Sequence, residues 1–395
     1  MPNISDAMKA TEDKLGRLAA TVDSGAPVKV MIAGLGSVGC YLLDYLINLN
    51  DPLVEIHVAG RTPEKMEKAV NIARTAACIR GSLASPVALH VVDLGQPAQI
   101  DDLLGAVEPD FVINSSRAYS GVKYGGISWH AIRAYGIWAP LSVKYVKNIA
   151  RACTGLTRPP VLVNTSYSDA VNRWVGTAGL PAPDFGSGNL NHLVPRIKFA
   201  VARELGVEAL DRIEVTLATS HFHDVLISKE GVTEGCEPLL HVAVDGRTAT
   251  VDTSQIYRLC AIPMPTDHTR NMMNASSNFE IVSKLLRAAR EKSKVGFHSP
   301  GVAGLLGGYP VAVDGSRLRI NEDHFDVAAM SRVNRASIAL DGIESVEDGV
   351  LSYTDALLDK TSKVFGCELP KRIALHDSEV VAELLIDKVI QAKIA

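Results

Sequence analysis

The stretch that decides the fold is "VKVMIAGLGSVGCYLLDYLINL", residues 28–49. It begins with six residues that are apolar except for one lysine, the pattern of a strand buried in a parallel sheet. Glycines then follow in the spacing G-x-G-x-x-G, at Gly34, Gly36 and Gly39. Apolar residues recur at helical spacing from Cys40 to Leu49. This order of strand, turn and helix predicts the phosphate-binding turn of a dinucleotide-binding unit.

Each glycine of this turn has a physical role. Gly34 permits the tight turn, Gly36 lets the backbone approach a pyrophosphate, and Gly39 lets the helix pack close to the strand. Ser37 and Val38 open the helix, whose N-terminus faces the anion. We therefore predict that these five residues bind the cofactor.

The end of the second strand, "LVEIHVAG" at residues 53–60, selects the cofactor. NAD sites have an aspartate or glutamate there, whereas this chain continues with Arg61 and Thr62. An arginine can form charge-assisted hydrogen bonds to a 2′-phosphate, and the threonine adds a hydroxyl. This pattern favours NADP over NAD. The alternative is that Arg61 is a solvated loop residue that only stacks on adenine.

Strands and helices continue to alternate, which predicts a doubly wound parallel sheet with right-handed crossovers. The further strands are "PVALHVVDL" (86–94), "DFVINSS" (110–116) and "PPVLVNTS" (159–166). Ligands bind at the carboxyl ends of such strands. We therefore add Asn114, Ser115, Ser116 and Asn164 to the predicted cofactor site.

The chain is too long for one small core, so we expect an α/β protein with two lobes. An N-terminal helix would cover 1–23 and a Rossmann domain 24–166. A second α+β lobe, with substrate and dimerisation groups, would cover 167–395.

Composition limits the classes of partner. Of the 395 residues, 47% are hydrophobic and 21% charged, with a net charge of −4. A mildly acidic chain without a lysine or arginine run gives no reason to expect a nucleic acid or an anionic membrane. No apolar stretch reaches the roughly 18 residues that span a bilayer, and the N-terminus is polar. The six scattered cysteines form no CxxC pair, so we expect a cytoplasmic protein without a metal site.

The segment "ATSHFHDVL", residues 218–226, places two histidines at the end of a predicted strand. If that strand continues, His221 and His223 share one side and Asp224 points to the other. An imidazole suits proton transfer because its pKa lies near working pH. The alternative is a hydrogen-bonded polar rim without chemistry.

The region that leads to these histidines carries a family resemblance. It reads "FGSGNLNHLVPRIKFAVARELGV" (185–207) and then "DRIEVTLATSHFHDV" (211–225). This resembles the lactate/malate dehydrogenase superfamily, in which a GSG-x-L-D-x-x-R helix ends in "LGV" and a strand then delivers a catalytic histidine. The resemblance spans about residues 28–365.

The resemblance implies site residues. His221 takes the position of the acid/base, with His223 two residues further on as the other candidate, and Arg196 that of the arginine that binds the substrate carboxylate. Asn164 would contact the nicotinamide ribose or the substrate oxygen. Lys123 would lie in the loop after the fourth strand, which in that family closes over substrate.

The sequence also departs from the family. Leu193 occupies the place of the aspartate that orients the histidine. Either Asn191, Asp224 or another group orients the ring, or the chemistry is not the usual one of the family. Residues 231–270 read as an additional β-hairpin. The segment "YSGVK" (119–123) matches the Y-x-x-x-K pair of short-chain dehydrogenases, but Gly121 and the following "YGG" favour a loop, where that pair does not form.

These observations predict an NADP-dependent oxidoreductase that interconverts a carbonyl, in a 2-oxo acid or related ketone, and its alcohol. A histidine would transfer the proton and an arginine would hold the anionic group of a small substrate. One alternative is an opine- or saccharopine-type dehydrogenase that reduces an imine. Another is a non-catalytic sensor that binds NADP. The N-terminal helix and the apolar C-terminal helix favour a homodimer or higher homo-oligomer.

Overall fold

A computed structural model describes residues 4–119 and 121–392, apart from the side chains of Ile4, Val122 and Lys123. The described chain contains a parallel sheet of six strands. The strands are β1 (Val28–Ala33), β2 (Val54–Gly60), β3 (Val87–Val91), β4 (Phe111–Asn114), β5 (Val161–Asn164) and β6 (Phe185–Gly186). Their order is β3-β2-β1-β4-β5-β6, with the reversal between β1 and β4 that characterises dinucleotide-binding sheets. The last strand lies beyond residue 166, where the predicted Rossmann domain ends.

Helices cover both faces of this sheet, which confirms the predicted doubly wound fold. They are α1 (Ile4–Asp23), α2 (Ser37–Ile47), α3 (Pro63–Ile79), α4 (Pro97–Val107), α5 (Gly121–Ile132), α6 (Ala139–Thr154) and α7 (Ser168–Thr177). Among the described residues, no helix combines the length and the apolar character needed to cross a membrane.

The rest of the described chain forms the predicted α+β lobe, with three antiparallel sheets. Its first part comprises α8 (Asn189–Leu205), β7 (Ile213–Ala218), α9 (His221–Glu230), β8 (Leu239–Val244), β9 (Arg247–Thr248), α10 (Thr253–Cys260) and α11 (Asn271–Glu291). Its second part comprises β10 (Lys294–Pro300), β11 (Gly308–Asp314), β12 (Arg317–Ile320), α12 (Val327–Leu340), β13 (Ile343–Glu347), β14 (Val350–Tyr353), α13 (Asp355–Phe365), β15 (Arg372–Ala374) and α14 (Ser378–Leu385), then a π-helical turn (Ile386–Gln391). The sheets are β7-β8-β9, β10-β11-β12 and β13-β14-β15. The additional hairpin is present as β8 and β9, followed by α10.

Two predictions of local structure are wrong. The strand before the two histidines ends at Ala218, and His221 is the first residue of α9, whose N-cap is Ser220. The helix begins there because its first backbone N–H, that of His221, has no partner within the helix and donates instead to the Asp169 carboxylate at 3.0 Å. The predicted loop at Gly121 is instead the start of α5, where tertiary packing overrides the low helix propensity of its glycines.

The alternation of side chains along the strands divides the core in two. Val30 and Ile32 of β1 face the core under α1, α2, α3 and α11. Met31 and Ala33 face the core under α4, α6, α7 and the C-terminal strands. Both cores include residues from beyond position 167, so the second lobe completes the packing of the sheet.

Helix α1 is attached to the sheet through a buried ion pair. Lys14 Nζ lies 2.7 Å from Asp184 Oδ2, and the two side chains are 8% and 3% exposed. Asp184 also accepts hydrogen bonds from the Thr11 hydroxyl and the Leu162 backbone N–H. The carboxylate therefore joins the helix, β5 and the residue before β6.

We predict that Lys14→Met lowers the free energy of unfolding by about 3–5 kcal/mol, because it leaves a buried carboxylate without its countercharge. Lys9→Met is the matched control, since Lys9 pairs with Asp13 on the surface of the same helix, and it should cost less than about 1 kcal/mol. Urea denaturation measures both. Equal losses in the two variants would contradict this role of the Lys14 pair.

Candidate active site

A cavity of about 980 Å³ lies at the carboxyl ends of the parallel strands, where ligands bind in folds of this kind. One end is lined by the glycine-rich turn after β1 and by the residues after β2. The other end is lined by the N-terminus of α9 and by residues 266–274, which lead into α11. A hydrogen bond joins the two linings, since Asn271 Nδ2 donates to Ser37 Oγ at 2.6 Å.

The glycine-rich turn has the geometry of a pyrophosphate site. Gly34 has a φ of +102°, and a Cβ there would clash with Ser116 Oγ. A Cβ at Gly39 would clash with the Gly34 carbonyl oxygen, whereas one at Gly36 would meet no atom within 4 Å. The open side of Gly36 faces the cavity at the N-terminus of α2, where backbone N–H groups attract an anion. This turn therefore fits a dinucleotide.

The neighbouring strand ends complete this part of the cavity. Ser115 Oγ donates to the Gly34 carbonyl at 2.6 Å, and Ser116 Oγ donates to the Ala33 carbonyl at 2.8 Å, so both hold the turn in place. Arg61 and Thr62 line the cavity beyond β2, as predicted from their position. Lys65, one helical turn later, lines it too. Among the described residues, none forms an ion pair with the Arg61 guanidinium.

At the other end, His221 is paired with a carboxylate that the sequence did not point to. Its Nδ1–H donates to Asp341 Oδ2 at 2.9 Å, and Asp341 is fully buried. The Tyr167 hydroxyl donates to the same oxygen at 2.7 Å, and the Tyr135 backbone N–H donates to Oδ1 at 2.7 Å. These bonds fix the carboxylate, and the carboxylate fixes the imidazole ring, which leaves Nε2 as the ring atom available to a ligand.

The charge state of His221 follows from two opposed effects. Burial is the largest single one and lowers the pKa, since it disfavours the imidazolium. Attraction to Asp341, its hydrogen bond, and the charges of Asp169 and Asp224 together outweigh burial, so the pKa of His221 is raised above its ordinary value. At any given pH, His221 is therefore protonated to a larger extent than a free imidazole.

His192, from the first turn of α8, has the opposite charge state. Burial, followed by the nearby charges of Arg270, Arg196 and His221, lowers its pKa to about 3. It lines the cavity, and its Nε2 is buried without a hydrogen-bond partner among the described residues. The cavity is therefore lined by a histidine with a lowered pKa, His192, and by one with a raised pKa, His221, a separation typical of sites with acid/base chemistry.

Asp224 lies on the same face of α9 as His221, because the two are three residues apart on a helix. The expectation that it would point away assumed a continuing strand and is wrong. Burial raises its pKa to about 7, despite the nearby charges of His221, Arg270 and Arg196.

His223 lies on the other side of α9, and the expectation that it shares the side of His221 is wrong. It is fully buried, with Nδ1 2.7 Å from Ser337 Oγ and Nε2 3.0 Å from the Glu234 carbonyl oxygen. Both ring nitrogens are engaged and the residue does not line the cavity. We assign His223 a structural position, and of the two histidines only His221 faces the site.

Arg196 does not reach the cavity that His221 lines. Its Nη1 donates to the carbonyl oxygen of Cys260 at 2.9 Å, and its Nη2 lies 2.8 Å from Met264 Sδ. The side chain thus secures the chain after α10. Arg270, one residue before α11, lines the cavity instead, together with Lys229. The arginine that lines the cavity therefore comes from a different segment than the predicted Arg196.

The asparagines at the strand ends also face inward. Asn114 Nδ2 donates to Asn164 Oδ1 at 3.0 Å, and Asn164 Nδ2 donates to Asn172 Oδ1 at 2.9 Å. Neither Asn114 nor Asn164 lines the cavity, so the ligand contacts predicted for them are not possible in this structure. Thr165 and Ser166, directly after β5, line it instead. The predicted Lys123 side chain lies outside the described residues.

Three site residues were missed for different reasons. Asp341 precedes a glycine at the end of α12, 120 residues from its partner, and no local pattern links the two. Arg270 lies in "PTDHTRNMM", where the Asp267 side chain caps the short helical turn before it. His192 directly precedes Leu193, the family's aspartate position, and this neighbourhood could have indicated His192 as a site residue. In the described chain, no cluster of three or more histidine, cysteine or acidic side chains could hold a metal ion.

The sequence matches no protein-family model and no curated protein. The fold matches solved structures. The malate dehydrogenase of Aeropyrum pernix aligns with a TM-score of 0.53 and 15% identity, over 79% of this chain and 96% of that one. The lactate dehydrogenase of Cryptosporidium parvum, complexed with lactic acid and nicotinamide adenine dinucleotide, aligns with a TM-score of 0.52 and 12% identity, over 80% and 97%. The lactate/malate dehydrogenase fold implied by the sequence resemblance is therefore confirmed.

The glycines give a test that separates binding from folding. Gly36→Ala places a methyl group in the cavity and has a φ of −82°, which alanine adopts freely, so the melting temperature should hold while NADPH affinity falls at least about tenfold. Gly39→Ala should lower the melting temperature, since its Cβ meets a backbone oxygen. Thermal melts and NADPH fluorescence titrations measure both effects. Unchanged NADPH affinity in the Gly36 variant would contradict the location of the dinucleotide site.

Proposed function

We propose that the protein is an NADP-dependent oxidoreductase that interconverts a carbonyl group of a small anionic substrate and the corresponding alcohol. One observation carries the proposal: a dinucleotide-binding turn and a histidine held by a buried carboxylate share a single cavity. The turn supports binding of the cofactor, and the His221–Asp341 pair supports transfer of a proton beside it.

The residues around the turn would hold NADP. Gly36 and the N-terminus of α2 would receive the pyrophosphate. Arg61, with Lys65 and the Thr62 hydroxyl, would receive the 2′-phosphate, since these side chains line the cavity where an NAD site has an acid. When bound, the nicotinamide supplies or accepts the hydride.

His221 would donate a proton from Nε2 to the carbonyl oxygen during reduction and take it back during oxidation. Asp341 holds the ring by Nδ1 and stabilises its protonated form, so it acts as a positioning residue. Tyr167, held in the left-handed conformation with a φ of +48°, places its hydroxyl on that carboxylate. The strain at this position is consistent with a site in which the ring orientation matters.

Arg270 would bind the anionic group of the substrate. It lines the cavity and lies close enough to His192, Asp224 and Tyr135 to influence the pKa of each. Lys229 adds a second positive charge on the same side. The arginine also lies in the segment that Asn271 joins to the glycine-rich turn, which would bring the substrate next to the cofactor.

The proposal is tested by a screen of NADPH oxidation against 2-oxo acids and ketones, each with and without added amines. We expect turnover with at least one compound, and a loss of about 10²–10⁴-fold in His221→Ala, the range of general acid catalysis. His223→Ala is the matched control and should retain turnover per folded molecule. NADPH binding without oxidation of any compound would instead identify a sensor, and equal turnover in His221→Ala would remove the acid/base assignment.

The preference for NADP is tested at Arg61. Arg61→Ala should weaken NADPH binding about 10- to 100-fold, because charged hydrogen bonds are lost, and leave NADH binding unchanged. Arg74→Ala serves as control, since Arg74 is exposed on α3, the helix that follows Arg61, and does not line the cavity. Fluorescence titration gives the dissociation constants. Tighter binding of NADH than NADPH by the unaltered protein would overturn the preference.

A further inference from the structure

Asp224 is a buried carboxylate that the proton-transfer pair does not use. It is 2% exposed and lines the cavity one helical turn after His221. Its Oδ1 is buried and has no hydrogen-bond partner among the described residues. A buried carboxylate oxygen without a partner is costly, so its presence in a cavity points to a ligand that supplies the missing donor.

The charges around Asp224 are engaged elsewhere or held apart from it. His221 is bound to Asp341, and Arg196 is bound to backbone carbonyls. Arg270 faces the same cavity, yet no ion pair in the described part of the chain includes either Arg270 or Asp224. A carboxylate and a guanidinium thus lie in one cavity without contact. That arrangement suits a ligand with both an ammonium and a carboxylate group.

Aromatic rings favour a cation at the Asp224 end. The Tyr135 ring packs edge-on against His221, with centroids 4.7 Å apart, and the charge of Asp224 contributes to the raised pKa of the Tyr135 hydroxyl. Tyr124, Trp138 and Tyr167 also line the cavity. The faces of such rings attract ammonium groups. An apolar substituent would instead leave the carboxylate without a donor.

We infer that Asp224 is a specificity-determining residue that binds an amino group of the substrate, while Arg270 binds its carboxylate. This inference rests on the proposed function and narrows its substrate class to amino-bearing 2-oxo compounds, or to an amino acid that joins a 2-oxo acid in the cavity. In the second case the amine nitrogen bonds to the carbonyl carbon and the carbonyl oxygen leaves as water. The hydride of NADPH then adds to the carbon of the C=N bond, a proton adds to its nitrogen, and NADPH becomes NADP⁺.

The inference is tested first by binding. A panel of amino acids and their counterparts without the amino group, such as L-alanine and propionate, is titrated into the protein by calorimetry, with and without NADP⁺. We expect at least one amino acid to bind more tightly than its counterpart, and Asp224→Asn to weaken it about 10- to 100-fold. Glu230→Gln is the control, an exposed acid at the end of the same helix outside the cavity, and should change nothing. Melting temperatures confirm that the variants fold.

Turnover gives the second test and separates the two proposals. NADPH oxidation is compared for pyruvate alone, pyruvate with L-alanine, and 3-(4-aminomethylphenyl)pyruvate, a 2-oxo acid whose primary ammonium group cannot reach its own carbonyl. The second and third conditions distinguish an added amine from a cation on the carbonyl compound. Faster oxidation in either, with a raised KM in Asp224→Asn, supports the inference. The inference would be overturned if pyruvate alone were reduced as fast as in the other two conditions. It would also be overturned if the unaltered protein and Asp224→Asn bound the amino acid equally well. If neither these conditions nor any compound of the screen of 2-oxo acids and ketones consumes NADPH, the proposed function fails, and calorimetry alone decides whether Asp224 binds an amine.

Discussion

The hydrogen bond between His221 and Asp341 is the contact on which the site depends. It joins the first residue of α9 to Asp341, which directly follows α12. The Tyr167 hydroxyl and the Tyr135 backbone N–H donate to the same carboxylate. A histidine at a helix N-terminus faces the positive end of the helix dipole, and burial disfavours its charge further. The carboxylates of Asp341, Asp169 and Asp224 reverse both effects and raise the pKa of the ring. One buried acid therefore sets the orientation of the histidine and contributes most among the charges that keep it protonated.

The fold brings this pair to the cofactor by its topology. Successive strands are added on one side of β1 up to β3 and on its other side from β4 onward, and this switch opens a crevice at the carboxyl ends of the strands. The glycine-rich turn forms one wall, while α9 and the segment before α11 form the other. Arg61 and Lys65 lie at the end of the cavity with the glycine-rich turn, and Asp224 and Lys229 of α9 lie at the end with His221, where Arg270 also lies. The two ends therefore present different side chains to a ligand.

How much the sequence could predict depended on whether the information was local. The roles predicted for Gly34, Gly36 and Gly39 rest on six consecutive residues, and that of Arg61 rests on its place after a strand. Gly34, Gly36 and Arg61 line the cavity, whereas Asn114 and Asn164, predicted for the same site, do not. His221 was found from its position after the "LGV" segment, but its neighbours were misplaced because a strand was expected where Asp169 starts a helix. Asp341 and Arg270 could not be predicted, since tertiary packing alone brings Asp341 to His221 and Arg270 to the cavity. For Arg196 the local pattern was misleading. The residue has the expected position in the motif, but its side chain donates to backbone carbonyls and does not reach the cavity.

The pH dependence of NADPH oxidation, measured for the unaltered protein and for Asp341→Asn with the best substrate of the screen, tests the central claim most directly. Because the protonated histidine donates the proton, the rate should fall as the pH rises through the pKa of His221. Without the Asp341 charge, burial lowers that pKa, so the fall should occur at lower pH in the variant and the maximal rate should be smaller. The same midpoint in both proteins would contradict the claim that Asp341 holds and tunes the proton donor.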